Sequence, residues 1–141
     1  MATGRRDEEE LRARALAELD IIDTPPEDSY DDIVMLAAQI CGTPISTVTF
    51  IDGDRQWFKA AVGVDKREDA REVSFCAHAI LQPGVTLVVP DARNDPRFAK
   101  NPLVVGEPFI RFYSGAPLVL RPGEALGTRC VVEGARRPRD A

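Results

Sequence analysis

Between Ile33 and Ile51 the chain carries no aspartate, glutamate, lysine or arginine, and this run limits the choice of fold. An uncharged stretch of that length is either a membrane span or two apolar elements set end to end. Gly42 and Pro44 interrupt it, and Gln39, Ser46, Thr47 and Thr49 dilute it. Its repeat also changes midway, from helical spacing to a run rich in Ile, Thr and Val, so it reads as a helix end followed by a strand. Upstream, Tyr30, Ile33, Leu36, Ala37 and Ile40 recur at helical spacing. Thr24-Pro25-Pro26-Glu27 supplies a capping box with proline at the first helical position, and Gly42 supplies the stop. Cys41, in the last turn, is expected in the core.

The same rules organise the remaining chain. Residues from Glu8 to about Asp20 form a helix whose apolar stripe is Leu11, Ala15, Leu16 and Leu19, with a solvated charged face opposite. Pro44 to Ile51 and Gln56 to Val62 pair as a hairpin about Asp52-Gly53-Asp54-Arg55. On the second strand Phe58, Ala60 and Val62 are predicted to face a helical layer. Trp57, Lys59 and Ala61 then face solvent or a partly polar pocket. Gly63 to Val73 reads as a loop. Ser74 caps a short helix through Phe75-Cys76-Ala77-His78-Ala79, and Thr86 to Val89 is a short strand. Asp95 and Pro96 start a single helical turn in a long loop that Asn101-Pro102 breaks. Phe109 to about Leu120 is a strand bent near Gly115-Ala116-Pro117, Arg121 to Glu124 a turn, and Ala125 to Glu133 the last strand. The sum is one α+β domain over 1–141, with a core of about 8–133 and a frayed tail at 134–141. A single antiparallel sheet of five to six strands carries helices on one face and the 74–109 helix-and-loop insertion on the other.

A formal net charge of −5 gives no footprint for nucleic acid or an anionic membrane. The N-terminal arginines are not followed by an apolar core, so no signal peptide is expected. Cys41, Cys76 and Cys130 are an odd, widely spaced set without a C-x-x-C motif, which speaks against a disulfide framework or zinc site and for a reduced, cytoplasmic setting. No phosphate loop or serine-triad signature occurs.

Candidate ligand-binding residues are Trp57, Cys76, His78, Asp91, Arg97, Arg111 and Tyr113, with none expected to be catalytic or to bind a metal. Cys76 and His78 lie two apart on a helix and point to nearly opposite sides, which argues against a catalytic couple. Each alone is preferred as a core residue. Arg97 or Arg111 suits an anionic ligand, with Trp57 and Tyr113 as walls. The plainer account has Asp91 and an arginine clamping the long loop.

Several blocks together resemble a GAF domain of the bacterial sensor type, as found N-terminal to histidine kinases and diguanylate cyclases. They are Asp23-Thr24-Pro25-Pro26, Asp54-Arg55-Gln56-Trp57-Phe58-Lys59, Ser74 to Ile80, Asp95-Pro96-Arg97-Phe98, Asn101-Pro102-Leu103-Val104, Ile110-Arg111-Phe112-Tyr113, Gly115-Ala116-Pro117-Leu118 and Ala125-Leu126-Gly127-Thr128. The resemblance implies a sensory module of two-component or cyclic-di-GMP signalling, not an enzyme. Its ligand, of unknown identity, would sit between the sheet and the 74–109 insertion. A bilin on Cys76 or a haem on His78 is open but not favoured. A histidine kinase or diguanylate cyclase output unit and a homodimer are the implied partners, with no nucleic acid and no membrane. The helix that usually follows the last strand is expected to be missing, and Arg129 and Val132-Glu133 depart from the family pattern. Two alternatives stand beside this reading: a free methionine sulfoxide reductase using cysteines, and a degenerate GAF domain serving protein contacts alone.

Overall fold

The computed structural model describes residues 4–134, so the tail reading for 135–141 lies outside the described residues. Helix α1 (Gly4–Leu19) and helix α2 (Asp28–Cys41) come first. Strands β1 (Ile45–Asp52), β2 (Arg55–Val62) and β3 (Glu68–Ala70) follow, then helix α3 (Phe75–Ala79) and strand β4 (Leu87–Val89). Helix α4 (Pro102–Val105) and strands β5 (Ile110–Arg121) and β6 (Glu124–Gly134) complete the chain. The six strands form one antiparallel sheet in the order β3-β2-β1-β6-β5-β4. Among the described residues no helix follows β6, and no helix is long and apolar enough to cross a membrane.

Two cores lie on opposite faces of this sheet. One joins Ala15 and Leu16 of α1 and Val34 of α2 to Val48, Phe50, Trp57, Ala60 and Leu126. The other joins Phe75, Cys76, Ile80, Phe98 and Val104 of the insertion to Ile51, Ile110, Tyr113, Cys130 and Val132. The expected α+β arrangement, with helices on one face and the insertion on the other, is what forms.

The helical layer differs from the sequence reading in three places. In α1 Leu11 and Leu19 are exposed, while Arg12 turns inward and donates from Nε to the Ala125 carbonyl at 2.9 Å. In α2 the capping box does not form: Glu27 is the cap residue and makes no side-chain cap bond. Pro26 disfavours helical backbone at Pro25, so the helix starts beyond the diproline. Thr24 instead turns its hydroxyl to the Ile21 carbonyl. Finally, Leu36 and Ile40 face outward with Cys41, and Val34 packs inward. Gly42 does end the helix, at φ 65°.

A register shift explains the largest difference in the sheet. β1 pairs Val48 with Ala60 but Thr49 with Phe58, which leaves Lys59 as an extra residue. A bulge puts neighbouring residues on one face. Trp57, Lys59 and Ala60 consequently all lie on the helical side, while Gln56 and Phe58 face the insertion. In β5 the bend expected at Gly115-Ala116-Pro117 is absent, and those residues pair regularly with β6. The register shifts on either side instead: between Ile110 and Phe112, which brings Ile110 and Tyr113 to the same face, and again between Leu118 and Arg121. β3 lies where the sequence predicts a loop, because three charged or small residues on a sheet edge carry no apolar period. Asp95-Pro96 forms turns rather than a helix, and Asn101-Pro102 starts α4 instead of ending an element.

Candidate functional site

β1 and β6 are central strands, and their side chains on the insertion face lie directly opposite one another. Thr47 pairs with Cys130 and Thr49 with Thr128. Across from them, Ser74 accepts a hydrogen bond from the Ala77 N–H and starts α3, which aims Phe75 and Cys76 at the sheet. β5 adds Ile110 and Tyr113, and the loop before it adds Glu107 and Pro108. Between these parts lies an open cavity of about 470 Å³. Small-molecule sites commonly fall between roughly 300 and 1,000 Å³.

Its interior is polar in one place. The Thr128 hydroxyl donates to the Cys76 sulfur at 2.8 Å, and the Tyr113 hydroxyl donates to it at 3.3 Å. Thr47 Oγ1 lies 3.0 Å from the Cys130 sulfur and 2.6 Å from Thr49 Oγ1. Every one of these side chains is buried. Phe75, stacked on Phe98 at 4.1 Å and tilted against Tyr113 at 5.2 Å, makes the adjoining wall aromatic. At the rim stand Asp65, Lys66, Asp69 and Glu107, with Lys66 donating to Asp69 at 2.9 Å. Gly115 is required here, because a Cβ would fall 2.1 Å from the Tyr113 hydroxyl.

The two thiols differ. A hydrogen bond from Cys130 is the largest influence on Cys76; burial opposes it, and the Thr128 and Tyr113 hydroxyls reinforce it. Together they bring the Cys76 thiol down to about 7. Cys130 is pushed well up by donating to Cys76, by burial and by the Cys76 charge. Burial, followed by the charges of Cys76 and Cys130, pushes Tyr113 up. Since the folded value of Cys76 lies below the ordinary thiol value of 9.0, its ionisation favours the fold fully above 9.0. That contribution is lost as pH falls to about 7. Cys130 has the opposite sign, so a direct titration is the cleaner measurement. The thiolate absorbance that wild type shows and Cys76→Ser lacks is expected to have its midpoint near pH 7, moving upward in Thr128→Val. A midpoint at the ordinary thiol value would contradict the assigned hydrogen bonds.

Of the seven residues read from sequence, Cys76 and Tyr113 line the cavity. Trp57 is buried under the helices on the far face, with the Arg67 guanidinium 5.4 Å from its ring. His78 points away from Cys76, edge-on to Phe98 at 4.8 Å, into a separate hollow of about 200 Å³ that Glu9, Arg12 and Arg71 also line. Asp91 is held down to about 2 by the two-pronged hydrogen bond from Arg93. Arg97 forms the same kind of pair with Asp95 and covers the outer face of the Phe98 ring at 5.1 Å. Arg111 donates to the Val104 and Ile110 carbonyls, tying α4 to β5. The aromatic and basic pocket expected from Trp57, Lys59, Arg111 and Tyr113 is therefore not assembled: the bulge at Lys59 and the irregularity at Phe112 send those side chains to different places. Sequence reasoning missed Thr47, Thr49, Thr128 and Cys130. Their signal is the alternation of Thr47 and Thr49 on β1, readable once β6 is known to lie beside it. Among the described residues no group of three or more His, Cys, Asp or Glu is placed to hold a metal ion.

A family model described as GAF domain matches residues 25–140. A curated relative, a cyclic di-GMP phosphodiesterase of Pseudomonas aeruginosa, is 42% identical over 133 residues, covering 94% of this chain and 22% of the relative. The chain thus spans about a fifth of that protein. The A. aeolicus nlh2 GAF domain in an inactive state superposes with a TM-score of 0.56 at 16% identity, covering 96% of this chain and 85% of the other. A free methionine-R-sulfoxide reductase from Neisseria meningitidis in complex with its substrate gives 0.58 at 15% identity, covering 94% and 77%. At such identities these two likenesses speak for the fold alone. The expectation that the chain is not an enzyme is corrected by the Pseudomonas relative, which is named for a catalytic activity and of which the chain covers 22%. With the match extending over most of its length and the fold in agreement, the chain belongs to the GAF domain family.

Proposed function

We propose that this chain is a sensory GAF module that takes up a small molecule in the cavity between the sheet and the insertion, and thereby sets the activity of a cyclic di-GMP phosphodiesterase output unit. The observation that carries this reading is the open cavity of about 470 Å³ with a cluster of buried hydroxyl and thiol groups at its base. An apolar body would fill the space beside Phe58, Phe75 and Val132, and a polar end would meet Thr47, Thr49 and Tyr113. The rim holds three carboxylates and one lysine, which suits a neutral or cationic ligand better than an anion. A ligand changes the output by binding one conformation of the module more tightly than another. The exposed apolar side chains Ile33, Met35, Leu36 and Ile40 of α2 offer a face for the output unit or for a second copy.

The test replaces the matching segment of the Pseudomonas relative with this chain and measures cyclic di-GMP hydrolysis. Leu103 is half-buried at the cavity wall, so Leu103→Trp can extend a ring into the open space. The filled variant is expected to change the hydrolysis rate severalfold and to remove the response to added cell metabolites. An unchanged rate and response would count against the cavity as the input site. The reductase reading is favoured by a separate observation, the two thiols at the cavity base. It requires thiol-dependent turnover of free methionine sulfoxide, and absence of turnover removes it.

A further inference from the structure

The thiols do not need the ligand reading to have chemistry of their own. Cys76 and Cys130 are free, fully enclosed by protein on the sheet side, and both reach the same open cavity. They come from different elements, α3 and β6, which pack on each other, and their sulfurs share one cluster of hydroxyls: Thr128 and Tyr113 donate to Cys76, and Thr47 lies 3.0 Å from Cys130. The Cys76 sulfur therefore receives two hydroxyl donors. Two donors to one sulfur stabilise its thiolate, which is the nucleophilic form. A structural cysteine in an apolar core has no such set of donors and is inert. Cys130 is kept protonated beside it, placed to react only after Cys76 has.

We propose that Cys76 and Cys130 form an oxidation site for small hydroperoxides, with Cys76 the attacking thiolate and Cys130 the resolving thiol. In the first step the Cys76 thiolate attacks the terminal oxygen of the hydroperoxide. An S–O bond forms, the O–O bond breaks, and the departing alkoxide or hydroxide takes a proton from cavity water; Cys76 becomes a sulfenic acid. In the second step Cys130 attacks that sulfur, the S–S bond forms and the S–O bond breaks. The Cys130 proton leaves with the hydroxide as water. Two thiols and one hydroperoxide become one disulfide, one alcohol or water, and one further water. The hydroperoxide is reduced by two electrons, and an external dithiol restores the pair. The disulfide joins the insertion to the central sheet through the cavity base, whether or not a ligand occupies the space above it.

Cys41 is exposed at the end of α2 and would react independently, so the test is made on the full chain carrying Cys41→Ser. Hydrogen peroxide and tert-butyl hydroperoxide are the probes. The expected result is a mass loss of two hydrogens and a dithiol-reversible cross-link between the peptides holding Cys76 and Cys130. Adding Cys130→Ser should stop the reaction at a dimedone-reactive Cys76. In Cys76→Ser, Cys130 should be slow. Burial keeps its thiol above the ordinary value and so protonated at pH 7, while Cys76 is partly ionised there. Thr128→Val keeps both sulfurs and should slow peroxide oxidation severalfold, which covers the case in which a cysteine variant folds poorly. Independent oxidation of both thiols without a cross-link would overturn the proposal. So would Cys130 reacting as fast in the absence of Cys76 as Cys76 does, or a Thr128→Val rate equal to wild type.

Discussion

Gly127→Ala is expected to remove at least about 3 kcal/mol of folding stability, a large fraction of what a domain of this size has. Gly127 lies opposite Phe50 in the pairing of β1 with β6, the two central strands. A Cβ there would fall 1.9 Å from the Thr49 carbonyl oxygen and 2.8 Å from the Phe50 Cα. Both obstacles are backbone, so no side chain can rotate aside. The strands would have to part in the middle of the sheet, weakening their ladder and displacing Phe50 and Leu126, both buried against the helices. Ordinary overpacking costs about 1–3 kcal/mol because side chains absorb it; a clash between central strands has less room to relax. Urea denaturation measures the effect. A loss below about 1 kcal/mol would mean that β1 and β6 are not in the close register described.

Lys59→Met is expected to cost about 2–3 kcal/mol through its lost charge-assisted hydrogen bonds. Lys59 is fully buried along its length, and its ammonium donates to Thr24 Oγ1 and the Pro25 carbonyl, each at 2.7 Å. It also pairs with the Glu27 carboxylate at 2.5 Å and lies 5.4 Å from the Tyr30 ring centre. These bonds hold the diproline segment, which makes no capping box, against the bulge of β2. Methionine retains the apolar stem and loses every donor, leaving the Thr24 hydroxyl and Pro25 carbonyl without that partner. Glu27 is itself 55% exposed. Glu27→Gln should therefore cost under about 1 kcal/mol, since a half-solvated ion pair is screened. The order of the two variants is the diagnostic. Equal losses would assign the stability to the ion pair instead of the bonds to the Thr24 hydroxyl and the Pro25 carbonyl.

Local rules reached far into this fold. The stop at Gly42, the hairpin at Gly53, the cap at Ser74 and the turn at Gly123 each depend on residues adjacent in sequence, and each was legible. Strand alternation puts Trp57 and Lys59 on the wrong face because a single extra residue at Lys59 inverts the two-residue period on one side of it. Helical spacing in α2 likewise gave the element but not its direction. A stripe containing Ile33, Leu36 and Ile40 satisfies the pattern whether it faces the sheet or solvent. For the arginines of the long loop the sequence leaves both an anion site and a clamp open, and the clamp is what forms: Asp91 and Asp95 stand two residues before Arg93 and Arg97 and occupy them. The cavity base is the opposite case. Cys76 and Cys130 meet only because α3 packs on β6, and Thr47 and Thr49 join them only through the β1 register. No spacing rule within one segment carries that information. The order of elements already carried the architecture, and the resemblance to a family agreed with it and supplied no ligand.

The most direct test of the account is a native mass spectrum of the purified chain beside its denatured mass, recorded for wild type and Leu103→Trp. The account predicts a mass excess on the native wild type that disappears on denaturation and is missing from the filled variant. A bare wild type that remains bare after incubation with cell metabolites, or an excess that Leu103→Trp retains in full, would contradict a ligand in this cavity.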